Sequence, residues 1–143
     1  MYVNNQIELD AELADFPWHD SFVREAHVLS PSYVIPSSRG VAAPDSKWLL
    51  RLVICSQEEQ HPGLEFVFEG VDEITLSSRV DLSPHGTVRD GEVVMFMTTF
   101  DTTPIRAERL RLERLGIEAW GLKTRYCEVN QFDDGGFPIE VWG

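Results

Sequence analysis

An almost continuous apolar run, Trp48-Leu49-Leu50-Arg51-Leu52-Val53-Ile54-Cys55, lies in the first half of the chain. Short runs of this length, rich in branched and aromatic residues, are typical of β-strands. A second run, Leu64-Glu65-Phe66-Val67-Phe68, follows the turn-forming residues His61-Pro62-Gly63. Both runs are therefore predicted to be strands.

Comparable runs, bounded by Gly, Pro, Asp and Ser, recur along the whole chain. Further strands are predicted at residues 22–29, 74–78, 93–100 and 126–131. Arg89-Asp90-Gly91 carries the Asp-Gly signal of a tight hairpin. Asp133-Asp134-Gly135-Gly136 predicts a hairpin or loop before a terminal strand. The pattern as a whole predicts an antiparallel, β-rich fold.

Helical signals are few. Residues 9–15 are a short helical candidate that would hold the acidic N-terminus over an open sheet edge. Residues 104–115 are ambiguous. Pro104 and Gly116 are typical of the start and the end of a helix, whereas Leu110-Arg111-Leu112-Glu113 alternates between apolar and charged residues as a strand does. Strand is favoured there. The predicted fold class is α+β, mostly antiparallel β, as a sheet, sandwich or partly open barrel with at most one or two short helices.

Length and composition predict a single globular domain over residues 1–143, since 43% apolar content at this size supplies a core without disulfide or metal. Cys55 closes the apolar run and is predicted to be a buried free thiol. The N-terminus has neither the basic start nor the apolar stretch of a signal peptide, and no run is long enough to span a membrane. We expect a soluble, cytoplasmic protein without membrane contact.

Acidic residues dominate the charge. The chain has 24 Asp and Glu against 12 Lys and Arg, a formal net charge of -12. Binding to phosphates needs Lys and Arg to displace counterions, which argues against free nucleic acid as a partner. The first basic residue, Arg24, is preceded by Glu8, Asp10, Glu12, Asp15 and Asp20. This acidic region is either a solvated surface or a face that binds a basic protein.

The adjacent pair His19-Asp20 is the most chemically suggestive motif. On an extended chain the two side chains point to opposite faces, and no third ligand or short-spaced histidine pair accompanies them. No serine elbow or Gly-rich phosphate loop is present. No catalytic residue, metal site or cofactor is predicted. The favoured interpretation is strand entry, with the Asp20 or Ser21 oxygen accepting backbone N–H bonds and His19 packing beside Trp18.

Phe16-Pro17-Trp18-His19-Asp20-Ser21, followed by Val23 and His27-Val28, resembles the opening of a group of small bacterial β-rich domains. These domains begin with an aromatic residue, a His-Asp-Ala or His-Asp-Ser triplet and a strand. They include certain immunity proteins of polymorphic-toxin systems. The segment from Leu64 to Ile74 is similar to a second part of such domains. The resemblance implies a compact α+β domain that binds another protein and, for immunity members, one that blocks a toxin.

Three functions follow from these observations. The first is a non-catalytic, acidic protein-binding module, such as an immunity protein that neutralises a basic toxin, with candidate binding residues Trp18, His19, Asp20, Asp10, Glu12 and Asp15. The second is a small-molecule-binding or enzymatic β-barrel with a pocket lined by Trp18, Trp48 and Trp120, in which His19 orients the ligand. The third is a homo-oligomeric structural protein joined through an exposed sheet edge.

Overall fold

The computed structural model describes residues 1–42, 47–76, 82–120, 129–132 and 138–140. Helix α1 spans Gln6–Ala14, and 3-10 turns occupy Trp18–Asp20 and Ile117–Trp120. The strands of these residues are β1 (Ser21–Leu29), β2 (Tyr33–Val34), β3 (Val41–Ala42), β4 (Trp48–Ser56), β5 (Gly63–Glu73), β6 (His85–Arg89), β7 (Glu92–Phe96), β8 (Ile105–Leu115), β9 (Val129–Phe132) and β10 (Pro138–Glu140).

Six of the strands form one open sheet in the order β1-β4-β5-β8-β7-β6, and every neighbouring pair is antiparallel. β2 pairs with β3 and β9 with β10 in separate two-stranded sheets. The α+β, mostly antiparallel fold class is confirmed. Among the architectures left open by the sequence, the structure shows an open sheet with β1 and β6 at its edges instead of a closed barrel.

The core lies on one face of this sheet. Because side chains alternate along a strand, every second residue of β4, β5 and β8 points to that face. These residues are Leu50, Leu52, Ile54, Leu64, Phe66, Phe68, Leu110 and Leu112, all buried. Leu9 and Leu13 of α1 and the ring of Phe16 cover them. Each fully buried Leu or Phe side chain contributes about 1.5–3 kcal/mol to folding.

Helix α1 protects one edge of the sheet. Asn5 caps the helix, since its side-chain oxygen accepts the N–H of Glu8 at 2.9 Å. The Gln6 amide then replaces a neighbouring strand for β6: its nitrogen donates to the carbonyl oxygen of Gly86 at 2.9 Å, and its oxygen accepts the N–H of Val88 at 2.9 Å. The predicted helix is confirmed, although it begins earlier than expected. Its contact with an edge strand also agrees with the expectation.

Several predicted boundaries change. Residues 105–115 form β8, which confirms the strand interpretation. Positive φ angles at Asp90 and Gly91, 53° and 85°, confirm the tight hairpin between β6 and β7. The predicted strand at 74–78 is wrong for 74–76, because β5 continues through a left-handed Gly70 as far as Glu73 and the pairing then ends. Residues 77 and 78 lie outside the described residues.

The predicted strand at 93–100 ends early. β7 stops at Phe96, and a turn follows in which the N–H of Thr98 donates to the Asp101 carboxylate at 3.2 Å. For the predicted strand at 126–131, the structure shows β9 at Val129–Phe132, and residues 126–128 lie outside the described residues. Strand β6 was not predicted. The predicted hairpin or loop at 133–136 lies between β9 and β10, also outside the described residues.

Candidate functional site

Trp18 anchors the first 3-10 turn to the core. Its indole Nε1 donates to the carbonyl oxygen of Leu13 at 2.7 Å. Its ring centroid lies 4.6 Å from that of Phe16 and 6.1 Å from that of Phe66. A partly buried indole usually has such a hydrogen-bond partner. Trp18 therefore holds the end of α1 against the sheet, and its contacts are those of a residue that stabilises the fold.

His19 and Asp20 present exposed side chains on the same turn. The backbone of Asp20 makes the contacts: its N–H donates to the carbonyl oxygen of Pro17 at 3.2 Å, and its carbonyl oxygen accepts the N–H of Gln57 at 3.3 Å. The Ser21 hydroxyl donates to the carbonyl oxygen of Trp18 at 2.7 Å, instead of accepting a backbone N–H as expected. The His19-Asp20 pair does lead into β1 as predicted, but the backbone of Asp20 makes the hydrogen bonds and, within the described residues, its side chain does not accept the expected N–H.

The acidic residues predicted to bind a partner occupy different environments on α1. Asp10 is exposed and accepts a hydrogen bond from the Gln6 amide at 2.9 Å. Glu12 is half-buried and lies 3.8 Å from a guanidinium nitrogen of Arg114. Asp15 is exposed at the C-cap of the helix. Glu12 is therefore partly neutralised, whereas Asp15 has no ion-pair partner among the described residues and lines a depression that also contains Arg114.

The turn between β4 and β5 adds two further carboxylates beside Asp15 and Asp20. Glu58 and Glu59 are exposed on this turn, which the hydrogen bond from Gln57 to Asp20 ties to the 3-10 turn. Asp15 shares a surface depression with Gln60 of the same turn. We call Asp15, Asp20, Glu58 and Glu59 the acidic quartet. Within the described residues, no basic side chain lies within ion-pair distance of any of the four.

A second group of carboxylates, at the opposite end of the sheet, is balanced by cations. Lys47 Nζ lies 2.9 Å from Asp72 and 3.4 Å from Glu108. A guanidinium nitrogen of Arg106 lies 3.6 Å from Glu92. One depression is lined by Lys47, Asp72, Asp90, Glu92 and Glu108. We call Asp72, Asp90, Glu92 and Glu108 the balanced quartet. Within the described residues, Asp72, Glu92 and Glu108 of the balanced quartet therefore have ion-pair partners, whereas the acidic quartet has none.

A cavity of about 350 Å³ lies beside the acidic quartet. Its apolar walls are Phe22, Cys55, Ala119 and Trp120, and its polar lining residues are Arg24, Ser56 and Gln57. Trp120 is fixed by a hydrogen bond from its Nε1 to the carbonyl oxygen of Pro62 at 3.1 Å. The volume is at the lower end of the range for ligand sites. The cavity is thus a preformed, mainly apolar recess at the end of β1 and β4.

Cys55 is the predicted buried free thiol, which the structure confirms. Its Sγ donates to the carbonyl oxygen of Ala119 at 3.3 Å. Burial raises the pKa of Cys55 from 9.0 to about 11; nearby Arg24 lowers the value and Glu25 raises it. A thiol with this pKa is protonated and unreactive at neutral pH. Cys127, the other cysteine, lies outside the described residues.

Glu25 is a buried carboxylate close to the cavity. It is 8% exposed, and neither carboxylate oxygen has a hydrogen-bond partner in the part of the chain that the structure describes. Its strand partner is Val53, which points to the same face as Cys55. Burying an unpartnered carboxylate costs free energy. Glu25 therefore lowers the stability of β1 at this position.

The predicted three-tryptophan pocket does not form. Trp18 packs on the core face against Phe66, whereas Trp48 begins β4 and Trp120 lies beyond its other end. Eight residues of extended strand separate Trp48 from Ser56, a distance of about 26 Å. Of the three, only Trp120 lines the cavity, and His19 does not. The sheet is open instead of a closed barrel, and Trp18 and Trp48 do not line the cavity that contains Trp120.

Other exposed apolar side chains belong to the end of β1, to the β2–β3 hairpin and to the start of β4: Val28, Leu29, Tyr33, Val34, Val41 and Trp48. Leu29 pairs with Leu49 at the end of the main sheet away from the cavity. Self-association through a sheet edge stays a prediction.

Comparison with protein-family models, curated proteins and solved structures found no match. The resemblance of Phe16–Ser21 to an immunity-protein opening therefore stays a prediction. Among the described residues, neither a cluster of three metal-ligating side chains nor a helix with the length and apolarity of a membrane span occurs.

The sequence identified half of the acidic quartet. Asp15 and Asp20 were candidates because they lie in the acidic N-terminal region. Glu58 and Glu59 were not, because their approach depends on the pairing of Ser21 with Ser56 across β1 and β4. That pairing joins residues far apart in the chain, so the local sequence does not indicate it. The dipeptide Glu58-Glu59 in a turn between two predicted strands was the one local signal.

Proposed function

We propose that this chain is a protein-binding module whose acidic quartet contacts a basic protein, and that it acts as an immunity protein that covers the nucleic-acid-binding surface of a toxin. The observation that carries the proposal is the grouping, at one end of the sheet, of four exposed carboxylates that have no ion-pair partner among the described residues. The resemblance of Phe16–Ser21 to immunity proteins agrees with it.

The positions of the four carboxylates suit this role. Two come from the segment between α1 and β1, and two from the β4–β5 turn, which is joined to that segment by the hydrogen bond between Gln57 and Asp20. The main-chain bond fixes the relative positions of the charges before a partner arrives. A preorganised surface loses less conformational entropy on binding than a flexible one.

The four carboxylates would act mainly while the two proteins approach each other, before they form the complex. Complementary potentials increase the association rate and orient the partners, and exposed charges are screened beyond about 8 Å at physiological ionic strength. A nuclease surface that binds phosphates through Lys and Arg has the complementary sign. The acidic quartet would occupy that surface and exclude the nucleic acid.

The test is affinity capture from the source cells with three immobilised proteins. They are the unmodified chain, a variant with the acidic quartet neutralised (D15N, D20N, E58Q, E59Q), and a control with the balanced quartet neutralised (D72N, D90N, E92Q, E108Q). Both variants change the net charge equally. We expect a basic protein to be retained by the unmodified chain and the control and to be lost from the acidic-quartet variant.

Retention of the same proteins by all three would contradict the proposal, because it would show that the acidic quartet has no part in binding. A captured partner that is itself acidic would contradict it as well. Once a basic partner is identified, its toxicity should be suppressed by co-expression of the unmodified chain and not of the acidic-quartet variant.

A further inference from the structure

The cavity beside the acidic quartet has walls that suit one apolar side chain. Phe22 and Trp120 are 38% and 37% exposed, so each ring has an accessible surface. Cys55, the strand partner of Phe22, also lines the cavity and is buried. Aromatic residues that are partly exposed around a recess are typical of the sites where an interface has its energetic centre.

The polar groups of the cavity are largely satisfied within the chain. The hydroxyl of Ser56 accepts the N–H of Glu58 at 3.1 Å and donates to the carbonyl oxygen of His61. The thiol of Cys55 donates to Ala119. A polar ligand would find few unoccupied partners on these walls, whereas an apolar group needs none. The cavity therefore favours an apolar occupant.

The rings of Phe22 and Trp120 make an aromatic occupant preferable to an aliphatic one, because paired aromatic rings attract each other beyond the effect of the apolar area they bury. Both rings line the cavity and are partly exposed. Arg24 also lines the cavity and makes an interaction within the chain. The recess thus presents a ring-binding surface.

The residues around the cavity indicate which residues should lie beside the inserted side chain in the partner segment. Gln57 lines the cavity, and its N–H is bonded to Asp20. Glu58 and Glu59 are the next residues along the chain. A segment that places a side chain in the cavity must pass these carboxylates, and basic residues beside the anchor would complement them.

We infer that the cavity receives an aromatic side chain, Phe or Tyr, from a basic segment of the partner protein, and that this residue anchors the complex whose encounter the acidic quartet steers. The inference rests on the proposed function and adds the chemistry of the contact. In such interfaces a few central aromatic residues supply most of the affinity, while peripheral charges set rate and orientation.

Three capped pentapeptides test this inference. The first has one phenylalanine between two pairs of lysines, the second has alanine at the centre, and the third has phenylalanine between pairs of glutamates. Each is titrated into isotopically labelled protein, and backbone amide shifts are followed by NMR. We expect the lysine–phenylalanine peptide to shift Phe22, Cys55 and Ala119 and to bind about tenfold more tightly than the alanine peptide.

Two matched variants locate the contact. Trp120→Ala should remove the advantage of phenylalanine over alanine, and Trp48→Ala should retain it. Trp48 is a suitable control, since it is 49% exposed at the other end of β4. Phe22→Ala is a second wall variant if Trp120→Ala fails to fold.

The outcomes separate the two proposals. Equal affinities of the phenylalanine and alanine peptides, with shifts confined to the acidic quartet, would overturn the cavity inference and leave the proposed function intact. If neither lysine peptide shifts the acidic quartet, the proposed function fails. Equal binding of the glutamate and lysine forms of the phenylalanine peptide would overturn the basic character assigned to the partner.

Discussion

The backbone N–H of Gln57 donates to the carbonyl oxygen of Asp20 at 3.3 Å. This bond joins the turn that precedes β1 to the turn that follows β4. It brings two acidic segments together that are more than thirty residues apart in the chain, as the numbering of Asp20 and Glu58 shows. The same bond sets the rim of the cavity, because Gln57 is one of its lining residues.

Substitutions in the 3-10 turn Trp18–Asp20 should distinguish the residue that packs on the core from the two that are exposed. Trp18→Ala is expected to lower the free energy of unfolding by about 2–3 kcal/mol, because it removes ring contacts and the hydrogen bond to Leu13. His19→Ala and Asp20→Ala should each change it by less than about 0.5 kcal/mol, since both side chains are exposed. Urea denaturation of the three variants measures this. A large loss in His19→Ala or Asp20→Ala would show that the surface assignment is wrong.

The contact of Gln6 with the edge strand β6 should contribute to stability and should keep that edge from pairing with another strand. Gln6→Ala removes two hydrogen bonds to β6 and should cost about 1–2 kcal/mol. It also exposes the edge, so self-association at high concentration should increase. Denaturation and sedimentation measure the two effects. Gln60→Ala, in an exposed turn, is the control, and an equal effect in both variants would contradict the role of Gln6.

Replacement of Glu25 should stabilise the protein. Glu25→Leu removes a buried carboxylate that has no hydrogen-bond partner among the described residues, and it should raise the free energy of unfolding by about 1–2 kcal/mol. Glu113→Leu is the matched control, because Glu113 is exposed in the same row of the sheet, next to Glu65. A loss of stability in Glu25→Leu would mean that Glu25 makes a favourable interaction in solution.

Cys55 should react slowly with thiol reagents. Its pKa of about 11, against 9.0 for an unburied thiol, lowers the thiolate fraction at pH 8 by about a hundredfold. In a Cys127→Ser background, the reaction with a disulfide reagent should be slower by at least about this factor in the folded state than in urea. Similar rates in both states would contradict the burial of Cys55.

The same pKa has a consequence for stability. Because the folded state holds this proton more tightly than the unfolded state, unfolding releases it above the unfolded pKa. The contribution of Cys55 is fully present below about pH 9 and is lost as the pH rises toward 11. Cys55→Ala should therefore show a smaller decline in stability over that range than the unmodified chain.

Local pattern was sufficient for the central strands and for the helix. The alternation around Leu110 and Leu112 identified β8 despite Pro104 and Gly116, because both leucines fill the core face. Local pattern failed where the fold departs from simple rules. The strand predicted at Leu64–Phe68 is too short, because β5 continues through the left-handed backbone of Gly70 to Glu73. β6 has Val88 as its one large apolar residue and is held in part by the Gln6 side chain.

The candidate site depended more on tertiary structure than the fold did. Phe22, Cys55 and Trp120 come from three separate segments, and nothing in their spacing indicates that they share a cavity. Trp120 was grouped with Trp18 and Trp48 on residue type alone, and the sheet separates them. The acidic N-terminal region was visible in the sequence, but the contribution of Glu58 and Glu59 was not.

The most direct test of the acidic quartet is the association rate constant with the captured basic partner, measured at about 50 and 500 mM ionic strength. The unmodified chain and the balanced-quartet control should associate at least about tenfold faster at low salt than at high salt. The acidic-quartet variant should associate slowly at both. Rates that are equal for all three proteins and independent of salt would contradict the claim that these four carboxylates steer a basic partner.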